Sequence, residues 1–546
     1  MTKAKPSSKK LPDFQWLLAR LQDPSFYPHH PGKTQVIQTH GSLVIIAKPY
    51  VYKIKKNVDF GFLDYSTLSL RRLNLERELR YNQKLAPDVY LDLIPLYCHG
   101  DRLSWTHGDL VEWVLVMRYL QPRWFLDRRI QKGDITIADM DRVISLLNDF
   151  YSQPETQSAR KGTVSYLRTA IRNNFRFTKP FVNDLVPACV HASLRRHARL
   201  GFERLGGILT ERMRRCWRWC HGDLHLDHIH VTPEAIRIYD CIEFNDGLRW
   251  IDQANDLGFL AMDLDFYGRS DLARHLLRRS SALMGDATMH QVVDFYKTYR
   301  AMVRAKVESL QVYDSGSDRS GKGNLLKRKR AFSYFQLALD YAVTGRHPVV
   351  IVIMGNIGTG KSTIAAGLAD CLGYDHINSD RVRKELLGMT PTHRSDKEER
   401  KRLYQSSMTK KTYAALRDRA IACVLSDRSV VLDATFGQEA VRKALASAFA
   451  RKQVEVIWIE LTASDALIRR RLKGRDSEQQ VVSDARLQDF STLAARYASP
   501  GDAELNNLVR VRSTGRVDTV MKRVLDELID RRMDQVLASK SMTVRR

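Results

Sequence analysis

The chain has 546 residues with a formal net charge of +26 at pH 7, and 44% of its residues are hydrophobic. This length exceeds a single ordinary hydrophobic core, so about two to four domains are expected, and the apolar fraction is typical of a globular protein. The apolar run Val349–Met354 is far too short to span a bilayer, and the basic residues 1–10 have no apolar segment behind them. Composition therefore argues against a membrane protein or membrane partner and against a secretory signal.

Charge and cysteine usage narrow the expected partners and the compartment. Lys and Arg number 88 against 62 for Asp and Glu, which favours anionic partners such as nucleotides, phosphorylated substrates or nucleic acid. The basic residues are interspersed along helical segments, however, so a solvated basic surface is the favoured interpretation. The seven cysteines form no C-x-x-C pair, which is most simply explained by a reducing cytoplasm.

The first elements of the chain are short strands. Strand-like runs at Ser42–Ala47 and Tyr50–Lys55 precede a helical pattern at about Leu68–Leu85. Long helical stretches follow these elements. This order predicts a small sheet-rich lobe that leads into a helical lobe.

Residues 217–246, WRWCHGDLHLDHIHVTPEAIRIYDCIEFND, place two carboxylates around a short hairpin. The triplet HGD that ends in Asp223 is expected in a loop, and the strand Ala235–Tyr239 leads to Asp240. Such a pair suits phosphoryl transfer, with Asp223 accepting the proton of an attacking hydroxyl and Asp240 holding Mg²⁺ between phosphates. The same residues also fit turn and cap positions.

A segment rich in Ser, Gly and charge, Tyr313–Asn324, is interpreted as an exposed loop between two helical patterns. Those patterns cover about residues 289–311 and 326–344. A domain boundary is therefore expected near residue 346, between domains of residues 1–345 and 346–546.

Residues 347–363, HPVVIVIMGNIGTGKST, form the most informative segment of the chain. A β-branched apolar run leads into G-x-x-x-x-G-K-[ST], and a helical pattern follows, which is the setting that a phosphate-binding P-loop requires. The glycines let backbone N–H groups point at phosphate oxygens, the lysine reaches the β- and γ-phosphates, and the serine hydroxyl holds Mg²⁺. The segment predicts a nucleoside triphosphate site formed by Gly355, Asn356, Ile357, Gly358, Thr359, Gly360, Lys361, Ser362 and Thr363.

Apolar strands alternate with helical stretches through the rest of the C-terminal part. The strands are expected at Val349–Met354, Ser429–Leu432 and Val454–Leu461. This alternation predicts an α/β fold with a parallel sheet covered by helices on both faces.

Three further groups of residues in this part suggest a kinase. Asp380 is placed to activate an acceptor hydroxyl and Arg383, one turn later, to hold an acceptor phosphate, although a capping Asp before basic helix residues is the alternative. Asp433 ends the apolar strand in VVLDATF, the pattern of a Walker B carboxylate acting on Mg²⁺. Arg471 and Arg475 lie one turn apart and either close over the phosphates as a lid or line a solvated basic face.

The motif HGDLHLDHI followed by IYDCIEF resembles the catalytic and metal-binding loops of aminoglycoside phosphotransferase and choline-kinase-like enzymes, which share the protein-kinase fold. The resemblance implies that Asp223 is the catalytic base and that Asp240 binds the metal. It also implies a strand lysine paired with a helix glutamate. Lys53 and Glu78 are the candidates, with Lys55 on the same face of the strand as a rival.

Two other segments match the same family. The segment Leu110–Leu120 resembles the hinge strand whose backbone holds adenine. Asp252 and Asp256 match the acidic helix that follows the metal-binding loop. These matches extend the implied protein-kinase-like fold over most of the N-terminal part.

The chain departs from the family pattern at His228, where the family has an asparagine as second metal ligand. Magnesium prefers oxygen ligands, and imidazole is a poor replacement. Either His228 or the adjacent Asp227 serves as the ligand, or only one metal binds. His225 and His230 are interpreted as structural residues.

In the C-terminal part, GNIGTGKST, SDRVRKEL, VLDATF and the arginine-rich lid resemble P-loop kinases of the polynucleotide 5′-kinase, zeta-toxin and gluconate-kinase kind. The fused arrangement is similar to bacterial proteins described as bifunctional aminoglycoside phosphotransferase/ATP-binding proteins, over about residues 30–530. The implied fold has two domains, an N-terminal α+β protein-kinase-like fold and a C-terminal α/β P-loop NTPase with a parallel sheet.

These observations lead to three hypotheses. The first is a cytoplasmic tandem kinase in which each module binds ATP and Mg²⁺ and transfers the γ-phosphoryl group to a hydroxyl of a small-molecule or nucleotide acceptor. The second, motivated by His228, makes the N-terminal lobe a weak or inactive kinase that binds nucleotide and regulates the P-loop domain. The third is a nucleic-acid 5′-end kinase, which the positive charge favours but which lacks a visible stacking platform.

Overall fold

The computed structural model describes residues 14–59, 61, 63–153, 162–314, 322–390, 393, 395–476, 487–501 and 504–543. The helices are α1 (Phe14–Leu21), α2 (Leu68–Asn82), α3 (Leu126–Lys132), α4 (Ile137–Ser152), α5 (Val164–Thr178), α6 (Ala188–Arg204), α7 (Gly206–Arg215), α8 (Asp246–Arg249), α9 (Gln253–Phe266), α10 (Ser270–Leu283), α11 (Met289–Asp314), α12 (Lys322–Val343), α13 (Lys361–Leu372), α14 (Ser379–Glu385), α15 (Lys397–Leu403), α16 (Ser406–Leu425), α17 (Glu439–Ala450), α18 (Asp465–Asp476), α19 (Phe490–Ala494) and α20 (Val517–Thr543). The strands are β1 (Gln35–Gln38), β2 (Ser42–Ala47), β3 (Tyr50–Lys55), β4 (Tyr90–His99), β5 (Arg102–Ser104), β6 (Asp109–Arg118), β7 (Trp217–Trp219), β8 (Ile229–Val231), β9 (Ile236–Ile238), β10 (Trp250–Asp252), β11 (Val349–Met354), β12 (Asp375–Asn378), β13 (Val430–Asp433), β14 (Glu455–Thr462) and β15 (Leu508–Arg512).

Contacts divide the chain into two compact units that do not follow a single cut in the sequence. Unit 1 comprises the described residues of 1–169 and 207–296, and unit 2 those of 170–206 and 297–546. The expected boundary near residue 346 stays a prediction. Of the loop expected between α11 and α12, residues 315–321 lie outside the described part of the chain.

An antiparallel sheet begins unit 1, with the strand order β1-β2-β3-β6-β4-β5. The expected strands β2 and β3 have the bounds that the sequence indicates, and Val44 pairs with Lys53 across them. On its other side β3 pairs with β6, which covers most of the expected hinge segment. One cluster of buried side chains, including Leu43, Ile45 and Ile54, lies against this sheet.

Helix α2 positions the first polar residue of the candidate site. Its first turn is capped by Thr67, whose hydroxyl accepts the N–H of Leu70 at 3.2 Å, as expected for a threonine in an extended N-cap conformation. The helix contacts β4 and β6. Glu78 lies on its buried face with no exposed surface.

The remainder of unit 1 is mainly helical and contains two short antiparallel pairs. One is the hairpin of β8 and β9, and the other pairs β7 with β10. Helix α9 follows β10 and is buried along thirteen of its fourteen residues. A helix buried on every side belongs to the core and is a rigid support for the loops that contact it.

Unit 2 contains a five-stranded sheet in the order β12-β13-β11-β14-β15, and all four of its pairings are parallel. The central strand β11 is buried at all six positions, which explains its continuous β-branched apolar sequence. Val350 and Val352 pack with side chains of α16 and α17, whereas α13 contacts α20. The loop after β11 therefore lies at the carboxyl edge of the sheet, next to β13 and β14, where ligands of open α/β sheets bind.

Two global properties complete the description. All seven cysteines are free thiols. Within the parts of the chain that the structure describes, no helix combines the length and the apolar character needed to cross a bilayer.

Two candidate nucleotide sites

The first candidate site, in unit 1, begins with a lysine that contacts two carboxylates. Lys53 Nζ lies 2.6 Å from Glu78 Oε1 on α2 and 3.0 Å from Asp240 Oδ1. Burial alone would lower the pKa of Lys53, but Asp240 and Glu78 outweigh burial and keep it well above its ordinary value. The ammonium of Lys53 therefore stays charged beside Asp240.

Lys55, the rival lysine, contacts different carboxylates. Its Nζ lies 2.7 Å from Glu78 Oε2 and 2.6 Å from Glu243 Oε1, and Glu243 also accepts the hydroxyl of Tyr65 at 2.6 Å. The side chain of Lys55 is 3% exposed, against 15% for Lys53. Lys53 is thus the lysine that faces Asp240, whereas Lys55 is enclosed in a buried polar network.

Helix α9 holds the HGD loop through one carboxylate. Asp256 accepts the backbone N–H of His221 at 2.9 Å and of Gly222 at 3.0 Å, and the hydroxyl of Tyr151 at 2.9 Å. Gly222 has φ of +88°, and a Cβ there would lie 2.8 Å from the carbonyl oxygen of Leu248. This position requires glycine, and the tight loop presents Asp223 at a fixed place.

Asp240 occupies an uncommon backbone conformation at the end of the β8–β9 hairpin. Its φ is +65°, in the left-handed region that non-glycine residues rarely adopt. Its N–H donates to the hydroxyl of Tyr90 at 3.1 Å, and the next N–H, of Cys241, donates to Asn82 Oδ1 at 2.8 Å. Contacts from β4 and α2 thus stabilise a strained residue whose carboxylate faces Lys53, a pattern typical of functional sites.

His228 lies between the two carboxylates that the sequence analysis singled out. Its Nδ1 is 3.8 Å from Asp223 Oδ2, and its Nε2 is 3.6 Å from Asp240 Oδ2. Burial, and after it the charge of His225, lower the pKa of His228. The ring is therefore neutral near pH 7.

Both carboxylates remain ionised over the physiological range. Burial would raise the pKa of Asp223, but His225 and His228 hold it well below its ordinary range. Burial would likewise raise the pKa of Asp240, and Lys53 and His228 reverse that effect. An ionised Asp223 can accept a proton, and an ionised Asp240 can ligate a cation.

The other two histidines of this segment have different surroundings. His225 is 5% exposed, and its Nε2 lies 3.5 Å from Asp223 Oδ2. His230 is buried on β8, its Nε2 is 3.3 Å from the carbonyl oxygen of Gln121, and burial lowers its pKa to about 4. The structural interpretation of His230 agrees with these contacts, whereas His225 lies in the site itself.

The second candidate site, in unit 2, is the loop between β11 and α13. Gly355 has φ of +140°, and a Cβ there would lie 2.4 Å from the carbonyl oxygen of Leu461 on β14. Gly358 has φ of +71°, and its Cβ would approach Ile468 of α18 to 2.8 Å. Both glycines are required by close packing, and the loop leads directly to the N-terminus of α13, where backbone N–H groups attract anions.

Lys361 contacts a backbone carbonyl oxygen of its own loop. Lys361 Nζ donates to the carbonyl oxygen of Asn356 at 2.8 Å, and the hydroxyl of Thr359 donates to the same oxygen at 2.8 Å. The Lys361 ammonium therefore lies over the concave side of the loop. That is the position from which a P-loop lysine reaches phosphates.

Ser362 and Asp433 are brought together by a residue that the sequence analysis did not select. Asn378, at the end of β12, donates from Nδ2 to Asp433 Oδ2 and lies 3.4 Å from Ser362 Oγ. Asp433 is 1% exposed at the end of β13. A hydroxyl and a carboxylate oxygen at one edge of the sheet are hard ligands, and the set fits Mg²⁺.

Asp380 and Arg383 face each other across the first turn of α14. Arg383 Nη1 lies 2.6 Å from Asp380 Oδ1, and its guanidinium lies 4.8 Å from the ring centroid of Tyr404. Burial would lower the pKa of Arg383, but Asp380 outweighs burial and raises it. Asn378, not Asp380, caps the helix, because its Oδ1 accepts the N–H of Asp380 at 2.9 Å. The capping role considered as the alternative for Asp380 therefore belongs to Asn378, two residues before it.

The two lid arginines lie on α18. Arg471 Nη1 donates to the carbonyl oxygen of Thr359 at 3.0 Å, and its Nη2 donates to that of Ser513 at 2.7 Å. Arg471 therefore braces the outer side of the P-loop in this structure. The side chain of Arg475 lies outside the described residues.

A cavity of about 940 Å³ joins the P-loop to these residues. Lys361, Ser362 and Asp433 line it together with Asp380 and Arg383. Aromatic and basic side chains form part of the remaining wall, namely Tyr404, Lys410, Tyr413, Arg417, Phe436, Arg496 and Tyr497, and small, polar and aliphatic residues form the rest. The shape provides room for an acceptor beside a triphosphate tail.

Comparison with known proteins identifies related sequences for most of the chain. Residues 350–500 match the AAA domain family. An uncharacterized protein of Mycobacterium tuberculosis is 28% identical over 471 residues, which cover 85% of this chain and 90% of that protein. Shikimate kinase 2, chloroplastic, of Oryza sativa subsp. japonica is 30% identical over 203 residues, covering 36% of this chain and 59% of that protein. Among solved structures, choline kinase from Cryptosporidium parvum covers 60% of this chain and 94% of its own, with 9% identity and a TM-score of 0.39.

The AAA domain match and the geometry of the two units define the fold class. The AAA domain match begins in β11 and includes the P-loop and the strand that ends in Asp433. Unit 1 combines an antiparallel sheet, a lysine–glutamate pair between strand and helix, and two loop carboxylates, which is a protein-kinase-like arrangement. The predicted P-loop domain with a parallel sheet is confirmed, and unit 1 has the antiparallel sheet and the helices of the α+β fold predicted for the N-terminal part.

Proposed function

We propose that the protein is a tandem kinase in which each unit binds ATP and transfers its γ-phosphoryl group to a hydroxyl of a small-molecule or nucleotide acceptor. The observation that carries this proposal is that each unit brings a lysine suited to binding phosphate together with carboxylates at one place. In unit 1 these are Lys53, Asp223 and Asp240, and in unit 2 Lys361 and Asp433.

In unit 1 we assign phosphate binding to Lys53, which Glu78 orients from α2. Asp223 is the base for the acceptor hydroxyl, because its carboxylate is ionised and held on a tight loop. Asp240 is the metal ligand, and His228, between the two acids, is either a further ligand or a replacement for one. Lys53 rather than Lys55 receives the phosphate role because it alone of the two contacts Asp240.

In unit 2 the P-loop N–H groups and Lys361 hold the β- and γ-phosphates, and Ser362 and Asp433 are the magnesium ligands. Bound Mg²⁺ supplies charge neutralisation between the phosphates. Asp380 is assigned as the base, Arg383 as the group that orients an anionic acceptor, and Arg471 and Arg475 as neutralisers of developing charge. The basic and aromatic wall of the cavity favours an acceptor that carries a negative charge or a flat ring.

The test is a phosphorylation screen of a metabolite pool with labelled ATP and the full-length protein. Two variants separate the sites, since Lys361→Ala disables unit 2 and Asp223→Asn disables unit 1 without changing side-chain size. We expect each variant to lose a different labelled product. Full ATP turnover by both variants with every acceptor contradicts the proposal.

A second candidate function is favoured by His228. If imidazole in place of an amide oxygen weakens metal binding, unit 1 binds nucleotide without efficient transfer and regulates the P-loop unit. Nucleotide binding by unit 1 that persists while the Lys361→Ala protein forms no labelled product supports this function. A labelled product of the Lys361→Ala protein that disappears when Asp223→Asn is added excludes it. For either function we place the protein in the cytoplasm, in keeping with its free thiols.

A further inference from the structure

Three side chains around the HGD loop converge on one point. One ligand atom from each of Asp223, His225 and His228 lies within 4.8 Å of the others. His225 Nε2 is 3.5 Å and His228 Nδ1 is 3.8 Å from the same oxygen, Asp223 Oδ2. His228 Nδ1 also donates to the backbone carbonyl oxygen of Asp223 at 3.0 Å, so metal binding at this nitrogen replaces that hydrogen bond and releases its proton. Ligands of a tetrahedral ion with bonds of about 2.0–2.2 Å are separated by about 3.3–3.6 Å. The three groups are thus nearly at the spacing of a metal's ligands.

Local structure explains why these residues meet. His225 precedes a short 3₁₀ turn, Leu226–His228, and His228 ends it, and their ring centroids lie 3.9 Å apart. The turn is anchored by α9, because Asp263 accepts the N–H of Leu226 at 3.0 Å. The anchored turn therefore holds the backbone of both histidines close together.

The charges around the imidazoles favour a cation. Asp227 Oδ2 lies 3.8 Å from His225 Nδ1, and Asp240 Oδ2 lies 3.6 Å from His228 Nε2. Together with Asp223, three carboxylates thus surround two imidazoles. The charge of a dication bound among them is compensated by these carboxylates, although the two outer ones lie beyond hydrogen-bond distance of the rings.

The chemistry of the donor set selects the kind of ion. Two imidazole nitrogens with one carboxylate suit borderline transition metals, whereas Mg²⁺ prefers an all-oxygen set. We propose that Asp223, His225 and His228 form a binding site for a transition-metal dication of the Zn²⁺ type. The ion occupies the carboxylate assigned above as the base, so its binding blocks phosphoryl transfer by unit 1. This consequence rests on the proposed function, while the binding itself does not.

The binding test uses the full-length protein freed of metal, without nucleotide, titrated with Co²⁺ as a spectroscopic probe and with Zn²⁺ in competition against a chromophoric chelator. We expect a visible Co²⁺ spectrum of nitrogen and oxygen ligation in the wild type. His228→Asn and His225→Asn should each weaken Zn²⁺ binding by about 10- to 100-fold or more. The control is His230→Asn, which removes a buried imidazole of the same segment and should leave the Zn²⁺ affinity unchanged.

Two results overturn the metal site. One is a Zn²⁺ affinity that is the same in the wild type and in the His228→Asn and His225→Asn variants. The other is a Co²⁺ spectrum dominated by thiolate charge-transfer bands, which would assign the ion to cysteines. Near-ultraviolet circular dichroism of each variant verifies that the fold is retained.

A second measurement separates this proposal from the proposed function. Phosphoryl transfer by unit 1, followed in the Lys361→Ala background with Mg²⁺, should fall when Zn²⁺ is added. The rate after His225→Asn, compared with the rate of the same variant without Zn²⁺, should resist Zn²⁺. Histidine-dependent Co²⁺ binding in a protein without any transfer supports the metal site and contradicts the kinase assignment. Phosphoryl transfer by a protein that binds no Co²⁺ supports the kinase assignment and contradicts the metal site.

Discussion

Lys53 and Lys55 differ in function although they lie two positions apart on β3 and both contact Glu78. Lys55→Ala leaves Glu243 and part of Glu78 buried without a counter-charge, so the free energy of unfolding should fall by about 3–5 kcal/mol. Lys53→Ala removes the cation beside Asp240 and should weaken nucleotide binding by unit 1 about tenfold or more, the worth of a charged hydrogen bond. Urea denaturation and calorimetric titration in the Lys361→Ala background measure the two effects. A larger affinity loss for Lys55→Ala would reverse the assignment.

His221 gives a prediction about pH. It has no exposed surface, and its Nε2 lies 2.8 Å from the carbonyl oxygen of Tyr239 while its Nδ1 accepts the N–H of Asp223 at 3.3 Å. A ring that donates from one nitrogen and accepts at the other is neutral. Burial, and after it the charge of His228, lower the pKa of His221 from 6.5 to about 3.

The depressed pKa of His221 makes folding less favourable in acid. Above pH 6.5 the ring is neutral in both states and has no effect, whereas between pH 6.5 and about 3 only the unfolded chain binds the proton. The free energy of unfolding should fall over that window with a slope of about 1.4 kcal/mol per pH unit from this group. His221→Gln keeps an amide donor near Tyr239 and should reduce the slope by this amount. Urea titrations at several pH values measure it, and equal slopes for both proteins would refute the prediction.

At the scale of elements, the P-loop depends on glycine where two elements approach closely. Gly355→Ala places a Cβ 2.4 Å from the carbonyl oxygen of Leu461, so the loop must shift and nucleotide binding by unit 2 should be lost. Gly367→Ala, on α13 of the same unit, meets only Met521 at 3.5 Å and should stabilise the helix by about 0.5–1 kcal/mol. Calorimetric titration of both variants with ATP compares the same glycine-to-alanine substitution in the P-loop and in helix α13. Retained binding in Gly355→Ala, or loss in Gly367→Ala, contradicts this account of the loop.

The sequence predicts well those elements whose pattern is local. Strands β2, β3 and β11 have the expected bounds because each is a run of β-branched or alternating apolar residues. The sequence indicates a strand end before Ser379 but no bounds for β12, and it gives no sign of β15, because DHIN is short and polar and LVRVR carries two arginines on an edge strand. Their sheet positions come from pairing with β13 and β14, which no local pattern encodes.

The residues of the candidate sites are likewise predictable only where their pattern is local in the sequence. The P-loop is contiguous in sequence, so its residues could be assigned at once. Glu243 meets Lys55 across 188 positions, and Asn378 meets Asp433 across 55, so neither contact has a local signal. For Asn378 a weaker signal exists, namely a capping residue at the carboxyl end of a strand before a helix. The roles assigned to the site residues stay predictions until the variants are measured.

At the scale of the whole molecule, the charge of +26 raises the question of nucleic acid. Four basic residues, Arg383, Lys410, Arg417 and Arg496, line the unit 2 cavity together with Lys361. If oligonucleotides were acceptors, their binding would weaken steeply with salt, since each neutralised phosphate releases counterions. We expect instead that a 5′-hydroxyl oligonucleotide is not labelled by ATP and that its binding is weak at moderate salt. Labelling that Lys361→Ala abolishes would make the end-kinase hypothesis the preferred one.

The two candidate sites should act as separate binding sites, because every residue assigned to the first belongs to unit 1 and every residue assigned to the second belongs to unit 2. Calorimetric titration with ATP and Mg²⁺ should therefore give two equivalents for the wild type, one for Lys361→Ala, and two of unequal affinity for Lys53→Ala. Ligand that binds only the folded state adds about 2.7 kcal/mol of stability at a hundredfold excess over Kd. Each single variant should consequently lose only the stabilisation of its own unit in thermal denaturation. If Lys361→Ala also abolished binding at Lys53, the sites would be coupled, and the regulatory function would replace the tandem kinase as the better account.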